Sequence, residues 1–139
     1  MADLIYNRFS YNIVTKRIDL VNDNIKAALL TSSYVPDAKN HNVWADVSAN
    51  EVSGTGYTTG GIALASKAVY EDETNGWTWW DANDITWSNS TITARYLVLY
   101  DTTLVGSDLI ALFDFTSDKI STGGDFIITW SASGILRLV

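Results

Sequence analysis

The chain has 139 residues, no cysteine and a formal net charge of −7. The length fits one ordinary domain, and the lack of cysteine excludes disulfide frameworks, cysteine-based zinc sites and thiol nucleophiles. The acidic balance disfavours a nucleic-acid partner, because neutralising phosphates requires clustered Lys and Arg side chains.

The start of the chain carries no recognisable targeting signal. Met1–Leu4 lacks the basic flank and the long apolar core of a signal peptide. No apolar run approaches the roughly 20 residues that span a bilayer. We therefore expect no membrane partner, and a protein that stays in the cytoplasm unless it leaves within a larger assembly.

The first element predicted is a short helix over residues 3–14. Ile5, Phe9 and Ile13 recur every four residues, which stacks them on one helical face. Asp3 precedes the apolar residues, where its side chain could cap free backbone N–H groups. The β-branched residues at the end of the segment disfavour a longer helix.

A buried strand is predicted next, followed by a long irregular segment. The apolar run Ile25–Leu30 lies between polar turn formers, which is typical of a short buried strand. Residues 33–61 contain the only proline, the only histidine and a run rich in glycine. Long loops inside compact domains are usually functional, so we expect this segment to be an extended arm that contacts a neighbouring molecule.

The second half of the chain predicts a succession of strands and turns. Turn formers such as Asn75-Gly76, Asn89-Ser90 and Gly123-Gly124 separate short alternating runs. The strands predicted are Ile62–Tyr70, Trp77–Trp80, Asp84–Ser88, Thr91–Tyr100, Leu109–Phe115, Phe126–Trp130 and Ile135–Val139. This spacing is typical of sandwiches and barrels. We therefore expect a mainly β fold: a single antiparallel β-sandwich or jelly-roll-like domain over residues 1–139, with a short N-terminal helix.

The sequence shows no recognisable catalytic, cofactor or metal constellation. His41 is the only imidazole, and no G-x-S-x-G elbow accompanies it. The glycine-rich run has neither the spacing nor the lysine of a phosphate-binding loop. Paired-acid catalysis would need two carboxylates in one cleft, and Glu51, Glu71 and Asp81 are the candidates. We predict a protein that is not an enzyme and needs no cofactor or metal.

A cluster of four tryptophans is the best case for a ligand site. Trp77, Trp79, Trp80 and Trp87 are predicted on one hairpin that turns at Ala82-Asn83. Alternation places Trp77 and Trp79 on one face and Trp80 on the other. Exposed tryptophans stack on sugar rings in carbohydrate-binding modules, so Trp77 and Trp79 could form a sugar platform. The other interpretation is aromatic packing in the core or in a protein interface.

Several phrases of the sequence resemble a family of small tailed-bacteriophage proteins that are commonly encoded among virion structural genes. The phrases are Ile25–Tyr34, Ser48–Tyr57 with Gly60-Gly61, Asp84–Trp87, Ile92–Tyr96 and Asp125–Leu138. They extend over nearly the whole chain, and the phrase from Asn50 to Gly61 is the most specific. The tryptophan-rich residues 77–80 depart from the family pattern. The resemblance implies a virion component and transfers no functional residues or activity.

The function expected from this resemblance is that of a non-enzymatic phage structural protein, assembled in the host cytoplasm and located in the virion. A capsid decoration (cement) protein is preferred, bound to the major capsid protein or other virion proteins and to its own copies as a homo-oligomer. The alternatives are a tail or head–tail junction protein and a carbohydrate-binding module. We expect Val43, Trp44 and Tyr57 to anchor the protein contacts, because tyrosine and tryptophan dominate interface energetics.

Overall fold

The structure, a computed structural model, describes residues 3–139. Two antiparallel sheets pack against each other as a β-sandwich, with one short helix near the N-terminus. Strands hold 47% of the residues, which confirms the mainly β fold expected from the sequence. Among residues 3–139 no helix is long and apolar enough to cross a membrane.

The elements follow in chain order. They are β1 (Leu4–Ile5), α1 (Asn7–Val14), β2 (Ile25–Leu30), the 3-10 helices Trp44–Asp46 and Ser48–Asn50, β3 (Ile62–Ala63), β4 (Ala68–Asp72), β5 (Trp77–Asp81), β6 (Ile85–Asp101), β7 (Asp108–Ile128) and β8 (Leu136–Leu138). The larger sheet has the order β1-β7-β6-β2-β3, and the smaller has the order β4-β5-β8.

A long antiparallel hairpin, β6 with β7, forms the centre of the five-stranded sheet. The sequence predicted four strands in this region, and the structure joins them into two. Asn89 and Gly123 were predicted in turns but lie inside the strands, with φ of 50° and 62°. They act as bulges, because the pairing register shifts around Ser90 and Thr91.

The five-stranded sheet is buried on one face along most of β6 and on both faces at one end. Burial alternates strictly from Ile85 to Ser88, whereas Tyr96–Asp101 are all buried. One apolar cluster lies between the two sheets and includes Trp80, Trp87 and Leu97. A second cluster lies on the opposite face of the larger sheet, where Tyr34 and Val47 cover Val98.

Residues 33–61 were predicted as an extended arm, but they fold against their own domain. The segment is irregular as expected, yet Tyr34, Val47 and Val52 are buried. The Val52 N–H donates a 3.0 Å hydrogen bond to the carbonyl of Leu29 in β2. The physical reason is that every residue of β2 except Lys26 is apolar and buried, so both faces of the strand need a covering layer and this segment supplies one of them.

The predicted tryptophan hairpin is wrong, because β5 and β6 belong to different sheets. β5 pairs with β4 and β8, whereas β6 pairs with β7 and β2. Between them the chain crosses from one layer of the sandwich to the other. The Asn83 N–H donates to the Ala65 carbonyl over 2.9 Å, so Ala82-Asn83 form part of this crossing.

A helix near the N-terminus was predicted correctly, as α1. The prediction that Asp3 caps this helix is wrong, and so is the prediction that Ile5 and Ile13 lie with Phe9 on one buried helical face. The Asp3 carboxylate accepts a 2.8 Å hydrogen bond from the Asp114 N–H, so it is committed to β7 rather than to the helix. Phe9 is buried, but Ile5 lies in β1 and is 48% exposed, and Ile13 is 39% exposed. The apolar face is therefore only partly covered.

We expect Gly61→Ala to destabilise the protein far more than Gly76→Ala. Both glycines have left-handed φ, 83° and 71°, so both substitutions carry a backbone cost of about 1 kcal/mol. A Cβ at Gly61 would lie 1.9 Å from the Ala27 carbonyl oxygen, whereas at Gly76 it would meet no heavy atom of residues 3–139 within 4 Å. Urea unfolding should show a loss of at least about 3 kcal/mol for Gly61→Ala. Equal losses would contradict the tight contact with β2.

Candidate functional site

An apolar groove of about 530 Å³ lies between α1 and the three-stranded sheet. It is formed by aliphatic side chains from three parts of the chain. They are Ile5 and Ile13 near the helix, Val21 in the following loop, and Val69 and Leu138 on β4 and β8. These five side chains are 39–63% exposed. We call this surface the open groove.

The open groove exists because the inner face of the three-stranded sheet extends beyond the core. Trp80 on β5 is buried, and its indole N–H donates to the Leu20 carbonyl over 2.9 Å. Val69 lies directly opposite Trp80 in the β4–β5 register, so both side chains point to the same face. Val69 is nevertheless 49% exposed. The apolar seam between the layers therefore continues out to solvent at this end.

The groove is more basic than the rest of the molecule. Three of its lining residues are basic and one is acidic: Lys16 and Arg17 lie on the helix side with Asp19, and Arg137 lies at the edge that the groove shares with the outer face of the sheet. The chain as a whole has nine basic and sixteen acidic residues. An acidic partner would therefore meet less repulsion here than over the average surface.

The outer face of the same sheet carries aromatic side chains, of which Tyr70 and Trp77 are exposed and Trp79 is half-buried. Because neighbouring residues in a strand alternate, the buried Trp80 places Trp79 on the outer face, as the sequence predicted. Tyr70 on β4 stacks on Trp79 with ring centroids 5.3 Å apart and an interplanar angle of 23°. The Arg137 guanidinium lies 4.3 Å from the centre of the Trp77 ring. We call these four residues the aromatic face.

The three predicted contact residues do not form one surface. The Trp44 ring stacks on Tyr100 at 4.3 Å, and Val43 forms a β-bridge with Asp108 in β7. Tyr57 packs on the other side of the larger sheet, with its ring 5.9 Å from Trp87. All three are partly buried in their own domain, and their role in a protein interface stays a prediction.

The titratable residues considered for catalysis lie in separate places. Glu51 bridges to Leu30 in the five-stranded sheet, and burial raises the pKa of its carboxyl. Glu71 and Asp81 lie in the other sheet, three residue pairs apart along the β4–β5 ladder. His41 bonds through Nδ1 to the Tyr34 hydroxyl at 2.8 Å. Within residues 3–139 no group of three or more His, Cys, Asp or Glu side chains is placed to hold a metal ion.

Asp101 is a buried carboxyl that the sequence did not single out. It lies at the end of β6 beside Asp23, and its Oδ1 accepts a 2.9 Å hydrogen bond from the Thr103 N–H. Burial and the neighbouring Asp23 raise the pKa of Asp101 to about 7.

Comparison of the chain with protein-family models, with curated proteins and with solved structures found no match in any of the three. The resemblance to phage structural proteins therefore stays a prediction.

The sequence predicted the open groove only in part, because only two of its residues stood out in the sequence pattern. Ile5 and Ile13 stood out by their helical spacing, but their spacing predicts burial and not the exposure that the structure shows.

We expect the stability of the wild-type protein to fall as the pH rises from about 4 to about 7, in part because of Asp101. The unfolded carboxyl ionises near 3.8, while the folded one keeps its proton until about 7, so folding binds a proton across this window. The Asp101→Asn variant should lose this component and be more stable than the wild type at pH 8 by about 1–2 kcal/mol.

Thermal and urea unfolding across this pH range would measure the effect. Asp37→Asn is the control, and we expect it to change the stability at neutral pH in the opposite direction. Hydrogen bonds from Asn40 lower the pKa of Asp37, so the charged carboxylate stabilises the folded protein. Its removal should reduce stability at neutral pH. Parallel stability curves for Asp101→Asn and the wild type would contradict the raised pKa.

Proposed function

We propose that this chain is a non-enzymatic structural protein of a phage particle, of the capsid decoration type, that binds other virion proteins through the open groove. The observation that carries the binding role is the exposed apolar seam between α1 and the three-stranded sheet. The resemblance of nearly the whole chain to small phage structural proteins supports the virion assignment. A tail protein would use the same surface, and the experiment below separates the two locations.

The occupant we propose is an apolar polypeptide segment with acidic residues at its flanks, contributed by another virion protein. Aliphatic side chains in this segment would continue the core that Trp80 and Leu136 begin. Acidic flanks would meet Lys16 first, and then Arg17, whose guanidinium also donates to the Asn12 Oδ1 atom over 3.2 Å. Burying the apolar seam supplies most of the binding free energy, and the charges select the partner and its orientation.

The size of the groove indicates weak binding by a single copy. Fully burying an aliphatic side chain yields about 1.5–3 kcal/mol, so covering the exposed half of five side chains yields about 5 kcal/mol. Association itself costs about 4–15 kcal/mol. The free energy gained by one copy is therefore close to the cost of association. A decoration protein is present in many copies on one particle, and their combined avidity far exceeds the affinity of one contact.

We expect Leu138→Asp and Val69→Asp to reduce binding to expanded capsids at least about tenfold, since each inserts a charge into an apolar contact. Leu138 is 63% exposed and Val69 49% exposed, so neither change places a charge in the buried core and the fold should persist. The matched control is Val105→Asp, which changes an apolar residue that is 95% exposed in the β6–β7 turn. Copies bound per particle, measured by sedimentation with expanded capsids and separately with tails, give the readout.

The outcomes distinguish the surface from the role. If both groove variants bind capsids as well as the wild type does, the open groove is not the contact surface. If the wild-type protein binds tails and not capsids, the decoration role is wrong and the tail role stands. If it binds neither, and virions lack the chain, the virion assignment is wrong.

A further inference from the structure

We propose that the aromatic face, formed by Tyr70, Trp77, Trp79 and Arg137, is a binding site for a neutral carbohydrate. The strand register directs these side chains to the outer face of the three-stranded sheet, and at the edge of the sheet Trp79 and Arg137 also line the open groove. The inference rests on the rings and polar groups of the outer face and does not depend on the proposed function. The aromatic rings are not needed for the core of this sheet, which uses the inner-facing Trp80 and Leu136. Tyrosine and tryptophan are enriched at binding surfaces, and contiguous exposed apolar patches mark such surfaces.

The rings of the aromatic face are held in position before any ligand arrives. Trp79 is stacked against Tyr70 on one side. On another side it meets the turn at Gly134, where a Cβ would lie 2.7 Å from the Trp79 Cδ1 atom. Arg137 lies opposite Trp79 in the β5–β8 register and extends over the Trp77 ring. Because these side chains are already ordered, a ligand would lose little conformational entropy in fixing them.

A small pocket between Trp77 and Trp79 supplies polar groups beside the rings. It measures about 180 Å³ and is also lined by Asp72, Ser133 and Arg137. Hydrogen bonds from Thr74 and Asn75 fix the Asp72 carboxylate, which has about four acceptor positions in all, while a guanidinium offers five N–H donors. A sugar ring presents an apolar C–H face for the indoles and hydroxyls for these groups, and one such ring suits a pocket of this size.

The charge around the site selects against other ligands that stack on aromatic rings. Glu71, Asp72 and Glu73 follow one another at the β4–β5 turn, and the whole chain has a net charge of −7. Nucleic acids bind through positive surfaces that neutralise phosphates. A negatively charged surface with one arginine disfavours such polyanions, and a neutral glycan has no charge to be repelled.

The six tryptophans make the site directly observable, because each gives one indole N–H signal in a proton–nitrogen NMR spectrum. We expect a neutral oligosaccharide to shift the signals of Trp77 and Trp79 and to leave those of Trp44 and Trp130 in place. The probes are maltohexaose, cellohexaose and chitohexaose, titrated up to about 10 mM, with a heparin fragment as the anionic comparison. Trp77→Phe and Trp79→Phe assign the two signals.

Affinity measurements on variants complete the test. Trp77→Ala and Arg137→Met should each weaken binding of the responding sugar at least about tenfold, while Tyr11→Ala should leave it unchanged. Tyr11 is a matched control because it is an aromatic residue, 55% exposed, on α1. The proposal is overturned if no neutral oligosaccharide moves the Trp77 and Trp79 signals, if the shifts occur at Trp44 or Trp130 instead, or if only the heparin fragment binds.

Discussion

The antiparallel pairing of β6 with β7 joins every other part of the five-stranded sheet to the core. β1 pairs with β7, β2 pairs with β6, and β3 pairs with β2, so each depends on the central hairpin. The pairing runs from Ile85 opposite Ile128 to Asp101 opposite Asp108. Its two ends differ, because the stretch near Ile85 is buried on one face and the stretch after Tyr96 is buried on both. The three-stranded sheet covers one face of the hairpin. Residues 34–47 cover the opposite face, at the end that follows Tyr96.

The two candidate surfaces arise from a covalent constraint on β5. Neighbouring residues in a strand point to opposite faces, so Trp79 and Trp80 cannot both enter the core. Trp80 does, and its bond to the Leu20 carbonyl ties the small sheet to the loop after α1. Trp79 is therefore directed outward, together with Tyr70 opposite it in the register. Val69 and Leu138 on the inner face and Tyr70 and Trp77 on the outer face stay exposed, so both faces of the small sheet remain available to other molecules.

The sequence was sufficient to predict many of the local elements, but it was insufficient to predict which strands pair with each other. Alternation and apolar runs predicted β2, the opposite orientation of Trp79 and Trp80, and the mainly β class, because these depend on neighbouring residues. The turn at Ala82-Asn83 was predicted to reverse the chain, but a crossing between layers has the same polar composition. Likewise, Asn89 and Gly123 favour positive φ in a bulge as readily as in a turn. Which of the two forms is decided by distant strands, and spacing along the chain holds little information about them.

The open groove illustrates why a functional surface is harder to predict than a core. An aliphatic side chain at helical spacing is a sign of burial, and for Phe9 the sign is correct. Ile13 has the same spacing but lines the open groove together with Leu138, so its burial requires another molecule. At the edge of the small sheet Trp79 and Arg137 line both the open groove and the pocket of the aromatic face, so an occupant of either surface would meet these two side chains.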